Sequence, residues 1–155
     1  MNESHPDALL RKLGIELPVP PKAVGAYVAV VRTGNLVVTS GQLPWLGEKL
    51  VHTGKVGGNL TVEQGQEAAL VCALNALAQL KAAVGDLGKV RQIVRLEGYV
   101  HCAISFRQHP QVLNGASDLM VAAFGDKGRH ARTTVGVASL PADAAVEVEG
   151  VFEVA

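Results

Sequence analysis

Two charged residues near the C-terminal end of the chain are the strongest candidates for chemistry. Arg132 lies in a run of strand type, and its neighbours on the same face, Thr134, Gly136 and Ala138, are small. A guanidinium grips a carboxylate through two parallel hydrogen bonds, and small neighbours leave room for a ligand. Glu147 lies in the following strand, and a glutamate can orient or deprotonate a water molecule.

Other polar groups of the sequence are suited to completing such a site. Thr134 offers a hydroxyl group, and Ser40 and Gly41 follow a strand-like run. Glycine permits a close approach of the backbone or a positive φ. These residues predict a small polar pocket for a carboxylate-bearing ligand. The alternative is an ordinary strand whose charges face water, because spacing alone does not show that the residues meet.

Composition limits the classes of function. The chain has 155 residues, which fits one domain, and a formal net charge of zero. A general nucleic-acid binder carries a basic excess, so RNA or DNA is disfavoured as a partner. Charged residues make up only 18% of the chain, which suggests that apolar surface is used in subunit contacts.

Neither the cysteines nor the motifs indicate a metal or a cofactor. Cys72 and Cys102 form no metal-binding spacing and no disulfide framework, so both are interpreted as buried thiols. His101 and Cys102 are adjacent, but neighbours on a strand point to opposite faces and do not form a dyad. The sequence has no glycine-rich phosphate loop. We therefore expect neither a metal nor a cofactor.

The N-terminus is polar and has no signal-peptide core. The longest apolar stretch, residues 68–80, is too short to span a bilayer and is interrupted by Asn75 and Gln79. These features predict a soluble cytoplasmic protein that does not bind membranes.

The pattern of helices and strands predicts an α+β domain with a mostly antiparallel sheet and two helices on one face. Residues 1–22 are interpreted as a short helix and a proline-rich arm, and residues 23–155 as the domain. The predicted helices are 6–13, 61–84 and 110–124, and the predicted strands are 27–32, 36–40, 50–53, 90–102 and two within 131–154 around Leu140-Pro141.

Side-chain positions on the two long helices can also be predicted. Thr61 and Gln64 form a capping-box pattern at the start of the first. Asn75 and Gln79 lie one turn apart and are expected on its more polar side. Asn114 lies in the first turn of the second helix, off the apolar stripe. The expected buried stripe of the first helix is Leu70, Leu74, Leu77, Leu80 and Val84.

Several segments, taken in order, resemble the RidA family, also called YjgF or endoribonuclease L-PSP. They are Gly25-Ala26-Tyr27-Val28, Thr39-Ser40-Gly41-Gln42-Leu43-Pro44, Asn114 with Ala123-Phe124, and Ala131-Arg132 through Leu140-Pro141 to Val146-Glu147-Val148-Glu149. The N-terminal arm and Thr53-Gly54-Lys55-Val56-Gly57-Gly58 look like the longer branch of that family.

The resemblance implies a chorismate-mutase-like fold and a homotrimer with ligand pockets between subunits. It implies hydrolysis of reactive enamine or imine intermediates, such as 2-aminoacrylate, to a 2-keto acid and ammonia. By the same resemblance Arg132 holds the substrate carboxylate and Glu147 handles water and protons. The pocket residues matched to the family are Tyr27, Ser40, Gly41 and Asn114.

The chain departs from the family pattern at one pocket position. Many active members have a cysteine two residues after the arginine, where this chain has Thr134. A trimeric binding protein for a small carboxylate metabolite therefore stays an alternative to the enzyme. Endoribonuclease activity is a weaker alternative because the net charge is zero, although Arg129, His130 and Arg132 form a local basic cluster.

Overall fold

Three α-helices and seven strands form within residues 2–155, the part of the chain that the computed structural model describes; Met1, the first residue of the predicted arm, lies outside it. The helices are α1 (Pro6–Lys12), α2 (Val62–Val84) and α3 (His109–Phe124). The strands are β1 (Val30–Thr33), β2 (Leu36–Thr39), β3 (Trp45–Leu46), β4 (Lys49–Leu50), β5 (Val90–His101), β6 (Ala131–Val137) and β7 (Val146–Val154).

Five strands form one sheet in the order β1-β2-β7-β5-β6. Every neighbouring pair is antiparallel except β5 and β6, which run parallel. Helix α2 packs against β7 and α3, and α3 packs against β5 and β6. The predicted α+β fold, with a mostly antiparallel sheet and two helices on one face, is confirmed.

Strand β5 lies between β6 and β7, so the predicted Leu-Pro turn does not join neighbouring strands. The link between β6 and β7 contains a 3-10 turn, Pro141–Asp143, in which Ala142 and Asp143 both have positive φ. Parallel strands need a long crossover, and α3 supplies it between β5 and β6. The β5–α3–β6 unit therefore places the start of α3 above β6.

Local sequence signals set the ends of α2. The Thr61 side chain accepts from the Gln64 backbone, and the Gln64 side chain accepts from the Thr61 backbone. Gly85 ends the helix with a φ of +83°, a conformation that suits a residue without Cβ. The predicted capping box and stop are confirmed.

The prediction that Asn75 and Gln79 lie on a polar side of α2 is wrong, because both are buried. Asn75 Nδ2 donates to the carbonyl oxygens of Leu43 (3.0 Å) and Trp45 (2.9 Å). Gln79 Nε2 donates to the carbonyl of Pro21 at 2.5 Å. The carbonyls of Pro21, Leu43 and Trp45 lie outside the five-stranded sheet, and these two buried amides donate to them.

The buried face of α2 is built from smaller residues than predicted. Leu77, Leu80 and Val84 are buried as expected, whereas Leu70 and Leu74 are only half-buried. The fully buried positions of the helix include Ala68, Ala69, Cys72, Ala73 and Ala76. Small side chains let the helix approach the sheet and α3 closely.

Two predicted strands have different bounds in the structure. The hairpin around Gly34 forms, but β1 begins at Val30, so Tyr27 precedes the strand. The strand predicted at 50–53 is β4, which pairs with β3 at Trp45, a residue outside every predicted strand. Both differences leave Tyr27 and Trp45 on irregular or short segments near the end of β2.

The N-terminal arm packs on the domain. Leu10 of α1 is buried in the core. Lys81 Nζ donates to Asp7 Oδ1 at 2.9 Å, and His5 Nε2 lies 2.8 Å from Asp86 Oδ1. These contacts fix α1 against the end of α2.

Helix α2 is long and apolar enough to cross a membrane by length and composition alone. In the structure, however, 67% of its apolar window is buried inside the domain. This helix therefore forms the core of the fold.

We predict that Gly115→Ala on α3 destabilises the protein by about 1–3 kcal/mol through overpacking. A Cβ at this position would meet the backbone carbonyl of Gln66 on α2, which is unable to move without separating the helices. At an exposed helix position the same change gains roughly 1 kcal/mol. Urea unfolding measures the difference, with Ala122→Gly at an exposed position of α3 as the control for helix propensity. Unchanged or increased stability of Gly115→Ala would contradict the close packing of α2 and α3.

Candidate active site

Strand β6 directs Arg132 towards the first turns of α3. Arg132 is the register partner of Leu96, a buried residue, so both side chains point to the helix-covered face. Nη1 donates to Asn114 Oδ1 at 2.8 Å and to Ser117 Oγ at 3.2 Å. Nη2 donates to the carbonyl of Pro110 at 3.4 Å. The guanidinium is therefore oriented by neutral groups.

The positive charge of Arg132 is not neutralised by a carboxylate in the described structure. None of the ion pairs among residues 2–155 involves it. An arginine has five N–H donors, and the three bonds to α3 leave Nε–H and one N–H of Nη2. These two donors lie on adjacent nitrogens, an arrangement that suits both oxygens of one carboxylate.

Two residues near Arg132 were not recognised as site residues from the sequence. Ser117 Oγ lies 2.9 Å from His130 Nε2, and His130 Nδ1 lies 2.6 Å from the carbonyl oxygen of Gly128. Burial lowers the pKa of His130 below its usual 6.5, and the charge of Arg132 adds to that effect. Ser117 could have been identified from the sequence, because it follows Asn114 by three residues and both therefore lie on one face of the helix.

The predicted residue Glu147 lies in a different place, beside a cavity of about 490 Å³. Tyr27, Gly41 and Trp45 also line this cavity, together with the end of the arm at Pro21 and Lys22 and the start of the domain at Ala23 and Val24. A Cβ at Gly41 would collide with the Glu147 carboxylate. Glycine is thus required there for the carboxylate to occupy its position, as the expectation of a close approach at Gly41 anticipated.

The electrostatic environment of Glu147 favours its neutral form. Burial raises the pKa of Glu147 above its usual 4.5, and the charge of Glu149 raises it further. A carboxyl group shifted upwards in this way takes up and releases protons nearer to neutral pH than an exposed glutamate does.

Of three further predicted pocket residues, Ser40 and Tyr27 make side-chain hydrogen bonds of their own, whereas Thr134 makes none within residues 2–155. Ser40 Oγ donates to the carbonyl of Val28 at 2.6 Å and so fixes the segment before β1. Tyr27 is 54% exposed, and its hydroxyl accepts from the Val24 backbone at 3.4 Å. Thr134 Oγ1 is buried and has no hydrogen-bond partner within residues 2–155.

One chain does not bring the predicted site residues together in a single pocket. Arg132 pairs with Leu96 and Glu147 pairs with Tyr99, and Leu96 and Tyr99 are three residues apart on β5. Because side chains alternate, Arg132 and Glu147 point to opposite faces of the sheet. We call Arg132, Asn114, Ser117 and His130 the arginine half-site, and Tyr27, Gly41 and Glu147 the glutamate half-site.

The two cysteines are separated in the structure. Cys72 is buried, as predicted, whereas Cys102 is only half-buried. His101 and Cys102 do not face each other: His101 Nδ1 is 3.5 Å from Asp143, and Cys102 Sγ is 3.4 Å from His109 Nε2. Burial raises the pKa of the Cys102 thiol, which favours its unreactive neutral form.

One group of side chains has the spacing of metal ligands, but it is explained by other contacts. The ligand atoms of His5, Asp7 and Asp86 lie within 4.8 Å of one another near the surface. Asp7 already binds Lys81, and Asp86 accepts from the Gly88 backbone at 2.7 Å and from His5. We assign this group to the docking of α1.

The family of the chain follows from comparison with known proteins. The family model described as "YjgF/chorismate_mutase-like, putative endoribonuclease" matches residues 7–152. The chain therefore belongs to the YjgF family, also called RidA, and its fold is the chorismate-mutase-like fold of that family.

Individual relatives cover most of the chain. Protein TCP17 of Trypanosoma cruzi is 46% identical over 147 residues, which span 94% of this chain and 92% of that protein. The 2-iminobutanoate/2-iminopropanoate deaminase of Escherichia coli K12 is 32% identical over 132 residues, 84% of this chain and 89% of the enzyme. The crystal structure of Atu1372 from Agrobacterium tumefaciens, a protein of unknown function, is 43% identical with a TM-score of 0.91, covering 97% of this chain and 92% of that one.

We predict that Glu147→Gln stabilises the protein near pH 7 but not near pH 4. A folded-state pKa above the unfolded value of 4.5 means that stability is lost as the pH rises above that value. The side-chain amide of the Glu147→Gln variant does not titrate, so it contributes no such pH dependence of stability. The gain should be small, because solvent screens the half-buried group.

Urea unfolding at the two pH values measures this effect. Glu48→Gln, at an exposed position, controls for the loss of one negative charge. An equal stability difference at both pH values would show that Glu147 is not perturbed by its surroundings.

Proposed function

We propose that this protein hydrolyses reactive enamine and imine intermediates of the 2-aminoacrylate type to a 2-keto acid and ammonia. It acts as a cytoplasmic homotrimer in which the arginine half-site of one chain meets the glutamate half-site of the next. The observation that carries this proposal is the division of the site: a cation with two free donors and a carboxylate with a raised pKa lie on opposite faces of one sheet. The deaminase named among the relatives supports the reaction.

In the proposed mechanism Arg132 binds the substrate carboxylate through Nε and Nη2. Glu147 of the neighbouring chain positions a water molecule and accepts a proton as the water adds to the imine carbon. Returning that proton to the nitrogen gives a carbinolamine. Transfer of the remaining hydroxyl proton to the nitrogen, again through Glu147, then breaks the C–N bond and leaves the 2-keto acid and ammonia, so both protons of the water end on ammonia and Glu147 is regenerated. Tyr27, Ser40 and Gly41 shape the pocket beside Glu147, and Asn114 and Thr134 do so beside Arg132.

The sheet face opposite the helices has the character of a subunit contact. Val31 (52%), Val38 (39%) and Val135 (42%) are exposed there. They surround a polar network in which Tyr99 donates to Glu149 at 2.8 Å. A sheet face with several exposed valines is normally covered, and covering it with further copies of the chain would bring half-sites of different chains together.

A binding protein for a small carboxylate metabolite is the second candidate. Thr134 favours it, because many active family members have a cysteine at this position. In this candidate the trimer and the role of Arg132 in binding the carboxylate are the same, but the ligand is not hydrolysed. Endoribonuclease activity, which the family description also names, is less favoured because the net charge is zero.

We predict that Arg132→Ala lowers kcat/KM for imine hydrolysis by roughly 10–150-fold, the effect of losing a charge-assisted hydrogen bond worth about 1.5–3 kcal/mol. An amino-acid oxidase generates the imine, and semicarbazide competes for it. Arg91→Ala, at an exposed arginine of β5, is the matched control and should keep full activity.

The same experiment separates the two candidates. Turnover that survives in a folded Arg132→Ala protein would contradict the assigned role of Arg132. Absence of turnover in the wild type, with calorimetric binding of 2-oxobutanoate that Arg132→Ala removes, would replace the enzyme by the binding protein.

We predict that two inactive variants restore activity when their chains are mixed. Arg132→Ala retains the glutamate half-site, and Glu147→Gln retains the arginine half-site. Random trimers from equal amounts should regain about a quarter of the wild-type sites, because each intact site needs one chain of each kind in the correct order. Joint refolding followed by the imine assay measures this, with each variant refolded alone as the control. No recovery in mixed oligomers would place both residues in one chain's site.

A further inference from the structure

A chain of hydrogen bonds runs from a fixed turn to the arginine half-site. Gly128 packs so closely on α3 that a Cβ would meet the Met120 carbonyl, so the turn is held firmly. The Gly128 carbonyl faces His130 Nδ1 at 2.6 Å, His130 Nε2 faces Ser117 Oγ at 2.9 Å, and Ser117 Oγ faces Arg132 Nη1 at 3.2 Å.

The donor and acceptor of each hydrogen bond follow from the two ends of the chain, because the Gly128 carbonyl only accepts and the Arg132 guanidinium only donates. A carbonyl oxygen only accepts, so His130 Nδ1 carries the proton, and in the neutral ring Nε2 is then an acceptor. Ser117 has one hydroxyl proton, which it donates to His130. Its oxygen lone pairs are left to accept from Arg132, which only donates.

We propose that Ser117 and His130 are positioning residues for Arg132. Neutral His130 holds the Ser117 hydroxyl so that its oxygen faces Arg132. Ser117 and Asn114 together then occupy both protons of Nη1 and present the Nε–Nη2 edge to the substrate carboxylate. The identity of that carboxylate rests on the proposed function, whereas the orientation of Arg132 does not.

Protonation of His130 would reverse this arrangement. Nε2–H would donate to Ser117, and two cations would then share one hydroxyl oxygen. Burial favours the neutral ring, so His130 becomes protonated, and its hydrogen bond to Ser117 changes direction, only at a pH below the usual histidine pKa. Arg132 is the charged residue whose field lowers the pKa of His130. The other histidines and charged residues on the elements around His130 are Arg91, Arg95, Glu97 and His101 on β5, His109 and Asp118 on α3, and Asp126, Lys127 and Arg129 beside the turn.

Two substitutions at position 130 separate positioning from simple structural support. His130→Gln places an amide oxygen near the former Nε2, so the Ser117 proton keeps its acceptor. His130→Asn places a donor near the former Nδ1, so the bond to Gly128 is kept and the one to Ser117 is lost. Ser117→Ala removes the link itself, and Ser105→Ala, at an exposed loop position, is its matched control.

We expect Ser117→Ala and His130→Asn to raise KM by roughly 2–12-fold, the range for one hydrogen bond, with kcat within about twofold of wild type. His130→Gln should stay near the wild-type KM. Between about pH 5 and 8 the wild-type KM should rise towards acid, and His130→Gln should flatten that rise. Equal effects of His130→Gln and His130→Asn, or no change in Ser117→Ala, would overturn the proposal.

Two measurements do not depend on turnover. Calorimetry with 2-oxobutanoate should show the same pattern in Kd across the variants. Nitrogen-15 NMR of the histidine rings, with His130→Gln used for assignment, should show the Nδ1–H tautomer for His130. An Nε2–H tautomer would overturn the proposal even in an active enzyme, and a protein without imine turnover but with this tautomer and this Kd pattern would overturn only the proposed reaction.

Discussion

The alternation of side chains along β5, β6 and β7 is the constraint on which the rest of the site depends. It buries Val146 and Val148 under the helices and, by the same geometry, turns Glu147 to the other face. On β6 it places Arg132 on the face that α3 covers. A slip of one residue in β7 would expose the core, so the hydrophobic pattern of that strand fixes Glu147 on the outer face. Strand β6 contributes no buried residue, and Arg132 is held on the other face by the register of β6 with Leu96 of β5. Separation of the half-sites is therefore a consequence of burying the core of β7 and of the register between β5 and β6.

The two half-sites are also electrostatically complementary. Arg132 is held by an amide, a hydroxyl and a backbone carbonyl, which orient the guanidinium but leave its charge uncompensated. Burial and the charge of Glu149 both raise the pKa of Glu147 and so disfavour its negative charge. A cation from a neighbouring chain would ease that penalty, and a substrate carboxylate would be drawn to the same cation. In the proposed trimer, assembly and substrate binding would therefore both depend on the uncompensated charge of Arg132.

The sequence predicted the fold more completely than it predicted the site. Alternating valines on β7 and the capping box at Thr61 are local signals, and each element formed as expected. Asn75 was misjudged because its burial depends on the loop at Leu43 crossing α2, a contact far away in the sequence. His130 was noted only as a positive charge, although its partner Ser117 comes from another element. Residue spacing within one element can be read from the sequence, whereas contacts between distant elements leave little trace in the local sequence and are hard to predict.

Thr134 is the residue in which this chain departs from the family pattern of the proposed pocket. Its hydroxyl is buried on the face that also carries Arg132, without a hydrogen-bond partner in the described chain. Such a group costs about 1–3 kcal/mol of stability, whereas a thiol at this position forms only weak hydrogen bonds and loses little when unpaired. In the proposed trimer, a polar group of the substrate or of the neighbouring chain would satisfy this hydroxyl. Under that proposal, threonine in place of cysteine would change what the pocket binds and would not remove the site.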